Sequence, residues 1–133
     1  MGPSKVSILA VDDEANILAV LERGLAQAGY HCVTASSAGQ AAQLLQGAAV
    51  ALVLLDIMMP GKSGMELLSE IIIRYPDTGV VMLTGVTDTA TAVKAMREGA
   101  LDYMTKPFDL DELTARIEHA LARRALLLQN REY

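Results

Sequence analysis

The sequence predicts an α/β domain in which five short strands alternate with five helices, a (βα)5 order that closes into an open, parallel, doubly wound sheet. Three observations predict it. Runs rich in branched aliphatic residues recur five times along the 133 residues, each followed by a longer segment of helical spacing. The first, third and fourth runs are almost continuously apolar, as parallel strands buried on both faces must be. The composition is 52% hydrophobic with one phenylalanine and no tryptophan, which calls for an aliphatic core of layered helix and sheet. A chain of this length suits one domain and is too short for two ordinary ones.

Each element has its own signal. The first strand, Val6 to Val11, runs into the acidic pair Asp12 and Asp13. Ile17, Leu21 and Leu25 then recur at four-residue spacing, and Gly29 stands where a helix commonly ends in a left-handed residue. The second strand, His31 to Ala35, carries the single cysteine, Cys32, expected to be buried there. The second helix, Ala38 to Gln46 before Gly47, is alanine-rich and less distinct. The third strand, Ala51 to Asp56, ends an apolar run in a carboxylate. Leu68, Ile71, Ile72 and Tyr75 stripe the third helix, which Pro76 closes. The fourth strand is Val80 to Thr84, and Thr87 or Asp88 can cap the helix that follows and ends at Gly99. After the fifth strand, Leu101 to Thr105, Asp109 and Glu112 stand in capping-box spacing, and Leu113, Ile117 and Leu121 form the inner face of the last helix.

Composition excludes several functions. A net charge of −5 leaves no basic field to hold a nucleic-acid backbone, so no direct nucleic-acid contact is expected. One cysteine makes no internal disulfide, and nothing near it has zinc-ligand spacing. The longest apolar run, Ala48 to Leu55, falls far short of the ~20 residues that cross a bilayer. Two acids interrupt the N-terminus before a signal-peptide core can form. A soluble, cytoplasmic domain with no membrane contact is expected. Residues 1–4 read as a cloning remnant or a disordered start, residues 5–122 as the domain, and residues 123–133 as an extension of the last helix.

The stretch LLDIMMPGKSG, Leu54 to Gly64, invites two opposed readings. Its end, Gly61-Lys62-Ser63, resembles the close of a P-loop. That loop needs a glycine where this chain has Asp56, and a carboxylate there repels the phosphate the loop would bind. Asp56 therefore reads as a group that receives a phosphoryl rather than one that cradles it.

Four strand ends carry polar residues unsuited to a core: Asp12 and Asp13 after the first, Asp56 after the third, Thr84 on the fourth and Lys106 after the fifth. Ligands on open parallel sheets bind outside the carboxyl ends of the strands, where strand order reverses. Carboxylates gathered there repel one another unless a cation joins them, and a hard divalent ion with oxygen ligands, magnesium with manganese as a substitute, meets that need. Asp13 and Asp56 are the expected direct ligands, with Asp12 acting through water and the Met58 carbonyl as a further oxygen. Lys106 adds a second positive charge, and the Thr84 hydroxyl is placed to hydrogen-bond a phosphoryl oxygen. A magnesium-dependent phosphatase with an aspartyl nucleophile is the competing enzyme reading; enzymes resembling the haloacid dehalogenase group carry a D-x-D pair after the first strand, whereas these acids are adjacent.

In VDDE, LLDIMMPGKSGMELL, VVMLTG and GALDYMTKPF, taken in order and at this spacing, the chain resembles the receiver domain of two-component response regulators over nearly its whole length. The resemblance implies a flavodoxin-like sheet in the order 2-1-3-4-5. It implies that Asp56 takes a phosphoryl group, with magnesium, from a histidine kinase, a phosphotransfer protein or a small donor such as acetyl phosphate. It implies a cis peptide at Lys106-Pro107, aiming the lysine inward, and a switch in which Thr84 moves toward the new anion and the Tyr103 ring turns inward. Such a module catalyses its own phosphorylation and slow dephosphorylation and is not a turnover enzyme.

The fourth helix, fifth strand and fifth helix then form the output face, a two-fold dimer face in many members, across which Asp102 and Arg116 are a candidate pair. Apolar positions continue through Ala125 to Leu128, as in a linker helix, or a short coiled coil, leading to an output domain. Met58 and Val86, two residues beyond Asp56 and Thr84, lie where the family tunes water attack on the acyl phosphate. Neither side chain can orient a water, which implies a long-lived phosphorylated state. His31 and His119 lack partners at ligand spacing and are expected at the surface or in packing.

Overall fold

The computed structural model describes residues 5–131. Its strands are β1 (Ser7–Val11), β2 (His31–Ala35), β3 (Leu52–Leu55), β4 (Gly79–Thr84) and β5 (Asp102–Thr105). Its helices are α1 (Ala15–Gln27), α2 (Ala38–Gly47), α3 (Gly64–Arg74), α4 (Thr89–Glu98) and α5 (Leu110–Arg131). All neighbouring strands are parallel, in the order β2-β1-β3-β4-β5. The expected topology is therefore observed, and residues 1–4 lie outside the described residues.

The apolar runs explain the layering. β3 and β4 are buried at every position and β1 at all but its first, because helices cover both faces of the central strands. Leu18, Leu21 and Leu25 of α1 and Leu113, Ile117 and Ala120 of α5 close one face over Ile8, Ala10, Leu54 and Leu83. Ala41 and Leu45 of α2, Leu68 and Ile71 of α3, and Ala95 of α4 close the other over Leu9, Val53, Leu55 and Met82. Each fully buried leucine or isoleucine contributes roughly 1.5 to 3 kcal/mol relative to exposure, so the two aliphatic layers supply the main driving force. Cys32 lies on edge strand β2 and is half-buried rather than buried, since an edge strand has no second neighbour to cover it.

Helix starts follow side-chain chemistry. Ser37, Ser63 and Asp88 cap α2, α3 and α4 by accepting the backbone N–H of Gln40, Glu66 and Thr91. Of the two candidates for α4, Asp88 is the cap. The Asp109 carboxylate accepts from the N–H groups of Asp111 and Glu112 at the start of α5. α4 ends in a left-handed Gly99, φ 118°, as its sequence position implies. Helix α5 does not stop where it has covered the sheet but runs on as one helix to Arg131. Among the described residues no helix is long and apolar enough to cross a membrane.

Candidate functional site

Backbone pairing carries two acids to one level. Val11 of β1 stands opposite Leu55 of β3, and each strand extends its ladder by one residue. The Asp56 N–H donates to the Val11 carbonyl at 3.1 Å, and the Asp12 N–H donates to the Ala35 carbonyl at 3.1 Å. β1 and β3 are the adjacent strands at which the chain order reverses, the position where such sheets bind ligands. Thr84 ends β4, and its carbonyl accepts from the Lys106 N–H at 2.8 Å, which brings the turn after β5 to the same edge. The Lys106-Pro107 bond is cis.

Asp12, Asp13 and Asp56 each offer a carboxylate oxygen, and these oxygens lie within 4.8 Å of one another. Asp12 and Asp56 are only 2% and 3% exposed, whereas Asp13 is open to solvent. Lys106 Nζ lies 2.6 Å from Asp12 Oδ2, 3.2 Å from Asp56 Oδ2 and 3.5 Å from Glu14 Oε1. The remaining oxygens are also engaged: Asp12 Oδ1 accepts from the Glu14 N–H at 2.9 Å and Asp56 Oδ1 from the Met58 N–H at 3.3 Å.

Burial pushes the Asp12 carboxyl above its ordinary value, against the opposing hydrogen bonds from Lys106 and Glu14. Burial by itself would lower the Lys106 pKa, but the Asp12 hydrogen bond and the negative charges of Asp56 and Asp12 raise it, so the ammonium stays charged. One ammonium stands among four carboxylates, those of Asp12, Asp13, Glu14 and Asp56, leaving an excess of negative charge around the two buried acids. An all-oxygen donor set with that excess fits a small divalent cation and offers nothing to a soft one.

The rest of the constellation meets at Val86. Thr84 is fully buried, and its Oγ1 accepts from the Val86 N–H at 3.3 Å. The Tyr103 hydroxyl donates to the Val86 carbonyl at 2.7 Å, and its half-buried ring packs on the core layer beneath α3 and α4. Tyr103 is thus already engaged with the β4–α4 loop in this single chain. Burial raises the phenol pKa, and the charges of Asp88 and Asp56 add to the effect.

Asp102 and Arg116 meet within the chain, Nη1 to Oδ1 at 3.5 Å, and Arg116 Nη1 also donates to the Tyr103 carbonyl at 3.2 Å. The two residues of the candidate dimer pair thus lie beside each other within the chain, where β5 and α5 pack side by side.

The loop after Asp56 is no phosphate cradle. Ser63 is spent capping α3, and Lys62 pairs with Glu70 on that helix. Met58 is 67% exposed, while Met59 is buried. His31 and His119 are exposed.

Comparison with known proteins decides the family. A family model described as the response regulator receiver domain matches residues 8–118. The chain belongs to the response regulator receiver family. It is 40% identical over 115 residues to the DNA-binding transcriptional regulator NtrC of Escherichia coli (strain K12), covering 86% of this chain and 24% of that protein. Among solved structures, NtrX from Brucella abortus in complex with ADP is 37% identical with a TM-score of 0.89, covering 95% of this chain and 29% of that one. A CheY-like receiver domain protein from Methanospirillum hungatei JF-1 is 30% identical with a TM-score of 0.87, covering 92% and 98%. The receiver thus spans about a quarter of the length of the curated NtrC relatives it matches.

Receiver domains bind magnesium at an acidic cluster, and Asp12, Asp13 and Asp56 are grouped as that requires. Two contributors to this receiver's site, Glu14 and Gly64, are not singled out by the sequence patterns, and a third, Val86, is signalled there only through its side chain. Glu14, the last acid of VDDE, approaches Lys106. Val86 acts through its backbone, which no side-chain pattern announces. Gly64 lies under the loop after Asp56, where an added Cβ would stand 2.0 Å from the Asp56 carbonyl oxygen. A glycine opening a helix was its only signal.

Proposed function

We propose that this receiver is a phosphorylation-dependent signalling module in which Asp56 accepts a phosphoryl group from a histidine kinase, a phosphotransfer protein or a small phosphodonor. The convergence of Asp12, Asp13, Asp56 and Lys106 at the reversal point of the sheet carries the reading. One Asp56 carboxylate oxygen forms a bond to phosphorus as the bond from phosphorus to the donor's nitrogen or oxygen breaks. The leaving atom keeps that electron pair, as an imidazole nitrogen or a carboxylate oxygen, and the product is an acyl phosphate.

Asp13 and Asp56 would hold magnesium, or manganese in its place, with Asp12 through water and the Met58 carbonyl. When bound, the ion neutralises charge on the phosphoryl oxygens. The chain's own groups do the rest. Lys106 moves with the anion, since its ammonium already spans Asp12 and Asp56. The Met58 N–H steadies the second Asp56 oxygen. The Thr84 hydroxyl turns its donor to the phosphoryl group.

That turn supplies the signal. Drawing Thr84 Oγ1 toward the anion loosens its bond to the Val86 N–H, and the Val86 carbonyl is what holds Tyr103. The face made by α4, β5 and α5 then changes, for use by an output domain, a partner or a second copy. Residues 5–122 form the receiver and residues 123–133 lead toward an output domain; the names of the NtrC relatives, DNA-binding transcriptional regulators, support such an arrangement. The acidic charge of this chain assigns any DNA contact to that other domain. Slow hydrolysis of the acyl phosphate resets the module, so it is not a turnover enzyme, and a reducing cytoplasm suits its free thiol.

Intact mass after treatment with acetyl phosphate tests the proposal. One phosphoryl adduct is expected with magnesium and none in Asp56→Asn; an undiminished adduct in that variant places the acceptor elsewhere.

A further inference from the structure

The far end of the sheet, opposite Asp56, holds a second organised surface. There the turns α3–β4 and α4–β5 lie side by side. The first is tied down by its own hydrogen bonds: the Thr78 hydroxyl donates to the Val50 carbonyl at 2.8 Å, and the Thr78 N–H to the Tyr75 carbonyl at 2.9 Å. The Gly79 N–H donates to the Ala51 carbonyl at 2.9 Å, and the Leu101 N–H to the Val80 carbonyl at 2.7 Å, fastening both turns to the sheet. Between them opens a largely apolar hollow of about 250 Å3, walled by Ile72, Pro76, Gly99 and Leu101.

Helix α5 runs over this hollow. At about 1.5 Å per residue its 22 residues reach roughly 33 Å, well past what covers the sheet. Beyond Ala120, Arg124 Nε donates to the Asp77 carbonyl at 2.6 Å. Arg124 also borders a neighbouring hollow beside Leu45 and Val50, so its side chain lies across the α3–β4 turn. Leu127 and Leu128 complete the wall of the first hollow. A guanidinium on a backbone carbonyl, with leucines beside it, is a directed contact of the kind that holds a helix end against fraying.

We propose that the amino-terminal edge of the sheet is a docking seat for the α5 extension, so that the helix leaves the domain on an axis set by the core and not by a flexible joint. Whatever follows residue 131 is then aimed by the α3–β4 and α4–β5 turns. The second of these leads directly into Asp102 and Tyr103, which joins the seat to the output face. Arg124 ties one face of the helix to the α3–β4 turn through the Asp77 carbonyl. Leu128, half-buried, and Leu127, still 48% exposed, border the hollow above the turns.

Amide hydrogen exchange on the full 133-residue chain, with no phosphodonor, tests this. In the unaltered protein, amides 124–130 should exchange at least about tenfold more slowly than in an unstructured peptide of the same sequence. Arg124→Ala and Leu128→Ala should each lose most of that protection while β1, β3 and β4 keep theirs. Alanine is the better helix former, so intrinsic propensity alone predicts the opposite change. Exchange of amides 124–130 at peptide rates in the unaltered chain, or protection undiminished in both variants, overturns the proposal.

Discussion

The Tyr103 hydroxyl and the Thr84 hydroxyl hold opposite sides of one residue: Tyr103 donates to the Val86 carbonyl at 2.7 Å, and Thr84 Oγ1 accepts from the Val86 N–H at 3.3 Å. In the proposed switch, a pull on Thr84 from the side of Asp56 reaches Tyr103 through a single peptide link on each side. Tyr103→Phe should remove about 0.5 to 1.5 kcal/mol of stability, the net worth of one hydrogen bond, while Asp56 still takes a phosphoryl group. Urea unfolding reads the first effect and intact mass the second. Loss of phosphorylation in Tyr103→Phe would contradict this order of events.

Lys106 is the cation that the buried Asp12 and Asp56 carboxylates share. Lys106→Ala should destabilise the metal-free protein by roughly 3 to 5 kcal/mol, because it strands two buried charges. Millimolar magnesium should recover part of that loss, and more of it than in the unaltered chain. Thermal melts with and without the ion measure both; identical magnesium effects in the two proteins would argue against a shared site.

Asp13 is the exposed member of the acidic group, with no pairing to Lys106 among the described contacts. Asp13→Asn should leave the metal-free protein as stable or slightly more so, since it relieves repulsion, and should weaken stabilisation by magnesium about tenfold or more in concentration. An unchanged magnesium titration rejects the ligand role.

Met58 is exposed, whereas Val86 is half-buried against the core and holds Tyr103. Met58→Asn is therefore the cleaner probe of dephosphorylation, and it should speed loss of the adduct several-fold by giving water a partner. Val86→Glu should speed it as well, at an added cost in stability from lost packing. A decay rate unaltered in Met58→Asn would dismiss the idea that this position sets the lifetime.

Gly64→Ala should be among the most damaging single-methyl changes, because the new carbon would meet the Asp56 carbonyl oxygen at 2.0 Å and the backbone must move. A loss of about 1 to 3 kcal/mol is expected, together with slower phosphorylation. An alanine variant that melts and phosphorylates like the unaltered chain would show that the loop after Asp56 is not seated this tightly.

Most of the fold was legible because its signals are local. The apolar runs of β1, β3 and β4, the four-residue stripe of α1 and the glycine after α4 each report a nearby physical need, burial or a left-handed turn, and each element lies within a residue or two of where those signals put it. Cys32 was misjudged because alternation along a strand does not say whether the strand has one neighbour or two. Its half-burial follows from that edge position, and the burial that remains, with the charge of Glu22, pushes the thiol pKa up to about 11.

The residue types of the acidic pair, Asp56, Thr84 and Lys106, with their spacing along five strand-and-helix units, were settled by the sequence alone, since parallel strands joined by crossovers present their carboxyl ends on one edge. Distances were not. Only the folded chain decided that Lys106 bridges Asp12 and Asp56, that Arg116 lies within reach of Asp102 and the Tyr103 carbonyl, and that the end of α5 returns to the Asp77 carbonyl. Those contacts join residues far apart along the chain, or use backbone atoms common to every residue type. Three-dimensional packing determines them, and a one-dimensional pattern carries no trace of it.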